Sequence, residues 1–210
     1  MQRDTATGRR NDLRDTASHL ARSDDEDVLE PHGAGHYPSS MVVREARPGD
    51  AFAVESIRVR GWQIAYRHVF PPEQLDALTV DETRWRRRFV EPPAGWSTFV
   101  AERGGDVVGF ASVGPSRDER GIGELYAIYV DPEDWSQGAG GALLDHAERR
   151  LARDFEEATL WVLAANARAR RFYEHAGWAS DGTNKVEERL GVRSEETRYR
   201  KRLSTTTSRS

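Results

Sequence analysis

The chain has 210 residues, 37% of them hydrophobic, and a formal net charge of −4; this suits one ordinary domain with a real core and gives no overall attraction to nucleic acid or anionic membrane. It contains no cysteine, which excludes disulfides, thiolate metal sites and cysteine nucleophiles. No apolar run approaches the roughly 18 residues of a membrane helix and the N-terminus lacks a signal-peptide core, so the expectation is a cytoplasmic enzyme without a membrane or nucleic-acid partner.

Residues 1–40 are polar, with the acidic cluster Asp24-Asp25-Glu26-Asp27 followed by Pro31-His32-Gly33-Ala34-Gly35-His36-Tyr37-Pro38. Such a segment cannot bury enough surface to offset its ordering entropy, and disorder is expected. His32 and His36 have the spacing of one helical turn, but glycines separate them, so no metal site is read there. Met41 stands just before the first strand signal, so activity is expected to reside from Met41 onward.

Met41 to Arg47 reads as a short strand and Pro48-Gly49-Asp50 as a turn and helix cap. The helix that follows places Ala53, Ile57, Gly61 and Ile64 on one side, with Trp62 and Tyr66 elsewhere. Pro71-Pro72 ends it, and a second helix, rich in arginine, is expected over 73–90. Strands at Thr98 to Glu102 and Val107 to Val113 flank Arg103-Gly104-Gly105-Asp106, a good hairpin turn. Lysine is nearly absent, only Lys185 and Lys201 occurring, which removes most lysine-nucleophile mechanisms.

The central stretch runs from Glu124 to Leu151. It starts as a strand, Leu125 to Val130, bounded by Asp131-Pro132. Then come Gln137-Gly138-Ala139-Gly140-Gly141-Ala142 and a helix whose Leu143, Leu144, Ala147 and Leu151 recur on one face. Helix N-termini leave main-chain N–H groups unpaired and carry partial positive charge, and glycines let that backbone approach a phosphate. The Gly-Lys-Ser/Thr ending of a nucleotide-hydrolysing loop is absent, as is the G-x-G-x-x-G dinucleotide fingerprint. What remains fits a diphosphate held by main chain alone. Downstream, Ala158 to Leu163 reads as a strand, Asn166 to Ala176 as a helix closed by Gly177, and Trp178 to Asp181 with Thr197 to Leu203 as two last strands joined by a long polar connection. The pattern is mixed α/β, with an antiparallel first half and at least one parallel pair.

Gln137-x-x-Gly140-x-Ala142 resembles the Q/R-x-x-G-x-G/A signature of the GNAT superfamily of acyl-CoA-dependent N-acyltransferases. A second block, Asn166-x-x-Ala169-x-x-x-Tyr173-x-x-x-Gly177-Trp178, is similar to that family's N-x-x-A-x-x-x-Y-x-x-x-G-F element. The resemblance covers Met41 to Leu203 and implies a strongly twisted mixed sheet of about six to seven strands flanked by helices, with the fourth and fifth strands splayed apart. It also implies acetyl-CoA as donor. On that reading Gly138, Ala139, Gly140, Gly141 and Ala142, with the Gln137 side chain, hold the pyrophosphate. The pantetheine arm pairs like an extra strand with Ile128, Tyr129 and Val130, and Asn166 caps its helix while meeting the cofactor arm.

The same resemblance implies roles in catalysis. An alkylammonium has no lone pair, so a base is needed, and Glu124, thirteen positions before Gln137, stands where some family members carry theirs. Tyr173 matches the usual acid for the departing thiolate. Trp62 and Tyr66 lie in a segment like the one lining the acceptor side in many members. Relatives that acetylate protein N-termini often carry a glutamate five positions before the asparagine; Trp161 stands there, which lowers a peptide N-terminus reading. The expected activity is acetyl transfer to a primary amine of a small molecule. A protein or peptide amine acceptor and a non-catalytic CoA-binding domain are kept as alternatives, and the oligomeric state, a homodimer included, is left open.

Overall fold

The structure, a computed structural model, describes residues 41–204 and, for the main chain only, a short strand β1 (Ala17–His19). The acidic cluster and the His32/His36 pair lie outside the described residues. One piece of the tail expected to be disordered is thus a strand.

Four strands follow one another antiparallel across the first half of the sheet: β2 (Val42–Glu45), β3 (Ser97–Arg103), β4 (Asp106–Pro115) and β5 (Gly123–Val130). Gly104 and Gly105, at φ 62° and 97°, form the two-residue turn whose twist suits a hairpin and which side chains with a Cβ adopt poorly. After β5 the chain crosses over through α4 (Ala139–Leu151) to β6 (Glu157–Leu163), parallel to β5. The helix α5 (Ala167–His175) then leads into β7 (Ala179–Arg189) and β8 (Val192–Arg202), and β8 inserts beside β6 to give the order β2-β3-β4-β5-β6-β8-β7. A mixed α/β sheet flanked by helices is what the motifs implied.

Both faces of the sheet are covered, which is why every residue of β5 is buried. On one face α4 and α5 contribute Leu143, Leu144, Ala147, Leu151, Ala169 and Tyr173 to a core with Ile128, Val130, Leu160 and Val162. On the other, α1 (Ala51–Ala65), α2 (Pro72–Asp76) and α3 (Thr83–Val90) pack Trp62, Tyr66, Leu75 and Trp85 against Phe110, Ala127, Tyr129 and Leu163.

Three local expectations need correction. The helix expected over 73–90 is two, because Leu78 to Asp81 breaks it: Thr79 and Val80 are β-branched, and Asp81 accepts a hydrogen bond from the main-chain N–H of Thr83 at 3.0 Å. The face of α1 that turns inward is Ala51, Val54, Ile57, Arg58, Gly61, Trp62 and Ala65, while Ile64 is exposed. And the polar connection expected near the C-terminus is a long hairpin, closed tightly by Leu190 and Gly191 at φ 47° and 70°. Its charges pair across the strands even where they are buried, as in Arg189 to Glu196 at 3.0 Å, so the apolar periodicity that marks a strand is missing.

The seam that matters lies between β5 and β6. They pair only from Gly123↔Ala158 to Leu125↔Leu160, and then part. At that level β5 carries a bulge, since Leu125 faces Val113 and Ala127 faces Ser112, leaving Tyr126 as the extra residue. Beyond it, β1 lies parallel along β5 with Ala17↔Ala127, Ser18↔Ile128 and His19↔Tyr129, and beside β6.

Candidate active site

The loop leaving β5 is fixed from several sides. Asp131 accepts from the Glu133 main chain at 3.2 Å and from Arg60 of α1. Trp135 donates through Nε1 to the Val130 carbonyl at 2.9 Å. The chain then turns into α4 at Gly138, whose φ of 86° and ψ of −10° are left-handed, and no side chain caps this N-terminus. The first-turn N–H groups at Ala139, Gly140 and Gly141 therefore have no side-chain acceptor at the cap. A Cβ at Gly141 would meet nothing within 4 Å.

Gln137 is already engaged. Its Oε1 accepts from Arg103 Nη1 at 2.6 Å, its carbonyl accepts from Arg103 Nη2 at 2.9 Å, and its Nε2 donates to the Glu133 carbonyl at 3.0 Å. Arg103 also reaches Asp134 at 2.7 Å. The glutamine thus braces the turn, and Arg103, at the end of β3, is a residue the sequence reading missed: nothing local links it to a loop 34 positions away.

From α5 come two donors aimed at the same end of the sheet. Asn166 accepts the Ala169 N–H at 3.0 Å through Oδ1, the expected cap. Its Nδ2 is buried without a hydrogen-bond partner among the described residues. Arg168 stacks 5.2 Å over the Trp135 ring, with Nη2 3.5 Å from Ser136 Oγ, and its Nη1 is likewise buried and unpartnered among the described residues. Burial, with neighbouring Arg171, lowers the pKa of its guanidinium. An unsatisfied buried donor is costly, and an anion against this turn removes the cost. Arg170, by contrast, is held by Tyr199 Oη at 3.1 Å and the Ala164 carbonyl at 3.4 Å.

Tyr173 is fully buried on the α4/α5 side, its ring 6.3 Å from Trp178 and 6.4 Å from Tyr199. Glu124 sits on the other face. It opens β5 opposite Thr159 and is 0% exposed, and Arg117 clasps both its oxygens while the Arg117 main chain donates to Oε2 at 2.9 Å. Arg117 is itself stacked 4.9 Å over Tyr126, which stacks on Trp96 at 4.0 Å. Glu124 must release Arg117 to take a proton. Nothing in the local residue pattern signals that clasp.

Trp62 and Tyr66 are buried in an aromatic cluster: Trp62 stacks on Phe70 at 5.5 Å, meets Tyr66 edge-on at 5.2 Å and donates to Tyr129 Oη at 2.9 Å. They seat α1 on β5. Trp161 shares the face of Glu124. It donates to Asp118 at 2.8 Å and lies 4.2 Å below Lys185 Nζ, which closes one side of the indole.

Together, an uncapped glycine turn, two unpartnered buried donors and a strand pair that opens at a bulge fit a diphosphate with an extended polar arm. The sequence model of the acetyltransferase (GNAT) family matches residues 58–178, more than half the chain. The chain belongs to the GNAT acetyltransferase family. Among its relatives is the N-acetyltransferase YuaI of Bacillus subtilis, 37% identical over 132 residues, or 60% of this chain and 73% of that protein. A mycothiol acetyltransferase of Beutenbergia cavernae is 30% identical over 168 residues, covering 76% of this chain; the chain spans about half of that longer protein, 54%. The YncA acetyltransferase of Salmonella typhimurium, solved with acetyl-CoA, superposes with a TM-score of 0.64 at 21% identity, covering 82% of this chain and 99% of that one. As a GNAT enzyme the chain draws its acetyl group from acetyl-CoA. Among the described residues no helix is long and apolar enough to cross a membrane, and no group of three or more His, Cys, Asp or Glu is arranged to hold a metal.

Proposed function

We propose that this GNAT enzyme transfers the acetyl group of acetyl-CoA to a primary amine of a small molecule by direct attack. The observation that carries the reading is the convergence of the uncapped α4 N-terminus with the unpartnered Asn166 and Arg168 donors, at the end of a seam opened by the Tyr126 bulge. The N–H groups of residues 138–141 and the Arg168 guanidinium hold the diphosphate, the Ala142 N–H being spent on the Gly138 carbonyl at 3.1 Å, while Gln137 keeps the turn in shape through Arg103. The main chain of Ile128 to Val130 receives the pantetheine arm, and Asn166 Nδ2 donates to it. When bound, acetyl-CoA supplies an activated acyl carbon.

The remaining roles belong to side chains and main chain of this protein. A main-chain N–H near Ile128 stabilises charge developing on the acyl oxygen, a contribution typically about 10² to 10³ in rate. Glu124, released from Arg117, accepts the amine proton directly or through water, and Tyr173 returns a proton to the departing thiolate. Trp62 and Tyr66 act on the acceptor side by fixing α1 against Tyr129, so their effect on substrate passes through that helix. A small acceptor is favoured by Trp161, whose indole is buried on the face of Glu124.

Calorimetry with acetyl-CoA, against ATP as control, tests the donor: micromolar binding of acetyl-CoA alone is expected, and a preference for ATP refutes it. Thiol release over a panel of small amines and N-terminal peptides tests the acceptor. Turnover confined to peptides would reverse the substrate class.

A further inference from the structure

We propose that the opened seam between β5 and β6 is also a binding site for an extended peptide strand, filled by residues 17–19 of the same chain, and that this strand and the acyl donor exclude one another. The proposal rests on the donor site described above.

A strand buried along its whole length must find partners for both rows of its main-chain groups. β4 satisfies one edge of β5, but β6 pairs with the other only as far as Leu125. From Ala127 onward that edge is met by β1, in parallel register with Ala127, Ile128 and Tyr129. The pantetheine arm is assigned to Ile128, Tyr129 and Val130, so two of its three positions are the ones β1 pairs with. One strand edge hydrogen-bonds one neighbour at a time. Addition of a peptide to an open sheet edge is a general mode of recognition in which main chain supplies the affinity.

The geometry of the chain permits the exchange. The segment from His19 to Met41 reaches up to about 70 Å when extended, and a segment tethered in this way acts at an effective concentration on the order of millimolar. Three residues pair with few hydrogen bonds, so β1 is a displaceable occupant. Among the residues whose side chains are described, both core clusters are built from residues 41–203, and a protein without the tail is expected to keep that interior.

Calorimetric titration of CoA into three proteins tests this: the full chain, the full chain carrying Ser18→Pro and His19→Pro, and residues 41–210. The prolines delete two consecutive main-chain donors. Both altered proteins are expected to bind CoA at least about fivefold more tightly, which corresponds to β1 seated in about four-fifths of the unliganded molecules. A synthetic peptide of residues 12–24 is expected to weaken CoA binding to residues 41–210 competitively. Equal CoA affinity in the three proteins, or a peptide without effect, overturns the proposal and leaves the donor site standing. Tightening on truncation but not with the prolines assigns the effect to another part of the tail and overturns it too. If none of the three binds CoA, the donor site itself falls, and the proposal with it.

Discussion

On the α4/α5 side of the sheet, the groups assigned to the donor are main-chain N–H groups at a left-handed glycine and two buried side-chain donors with no partner among the described residues. On the α1 side, the polar groups at the same seam have already found one another. Arg117 clasps Glu124; Asp118 and Lys185 hold Trp161; Arg189 bonds Glu196 at 3.0 Å with Lys185 at 3.4 Å; Arg198 and Arg200 share Glu119. Register puts these on one face, since Glu124 pairs with Thr159, Trp161 with Arg198 and Leu163 with Glu196. The donor side is an offer of hydrogen bonds. The face proposed for the acceptor is a set of paired charges, and on that proposal an arriving amine replaces a partner, which is a natural source of selectivity.

The comparison breaks most sharply at the two residues given proton transfers. Glu124→Gln and Tyr173→Phe are each expected to lower kcat by at least tenfold, and by about 10² to 10⁴ where proton transfer limits the rate, with CoA affinity unchanged in calorimetry. Unchanged turnover in either variant removes that residue's role.

Next in size is the loss of a member of the closed set. Glu196 is wholly buried, and burial raises its pKa against the opposing pull of Arg189 and Lys185. Glu196→Ala strands the buried Arg189 and is expected to cost about 3 to 5 kcal/mol in denaturant unfolding. A loss below about 1 kcal/mol would mean that the network is ornamental to the fold. The matching change on the donor side should behave in the opposite way. Arg168→Ala removes charge-assisted hydrogen bonds to the diphosphate, so CoA affinity falls about tenfold to a hundredfold, while stability stays within about 0.5 kcal/mol of the parent.

The same contrast explains what the sequence made legible. The two family motifs were legible because their logic is local: Gln137 to Ala142 is one turn, and Asn166 to Tyr173 one helix. Spacing along the chain is therefore spacing in space. β5 and α4 were equally plain, their apolar patterns being those of a strand buried on both faces and a helix buried on one. The acceptor face was not legible, because its pairs join distant positions: Arg198 and Glu119 are 79 apart and Trp161 and Asp118 are 43 apart. The β7–β8 hairpin was hidden for a related reason, its strands being stabilised by charges that find partners only once the strands are paired. Glu55 and Arg58 look like surface residues of an amphipathic helix; in the fold they are buried, bonded at 2.8 Å, with Trp85 Nε1 donating to Glu55 at 2.7 Å.

The smallest expected effect lies at the exposed rim of the closed set. The Arg200 guanidinium, assisted by Arg198, holds the Glu119 carboxyl below its ordinary value of 4.5. A carboxylate whose folded pKa is depressed stabilises the fold fully above its unfolded value, and that contribution disappears as pH falls through the folded value. Glu119→Gln should therefore be less stable than the parent at pH 6, by under about 1 kcal/mol because the pair is partly solvated. The two proteins should converge between pH 4.5 and the acid end of the titration, which urea unfolding at a series of pH values measures. A difference that persists undiminished at pH 2 would mean that Glu119 acts through its shape or its hydrogen bonds to Arg198 and Arg200 rather than its charge. The ion pairs of the acceptor face would then have to be treated as packing, and the contrast with the donor side would narrow accordingly.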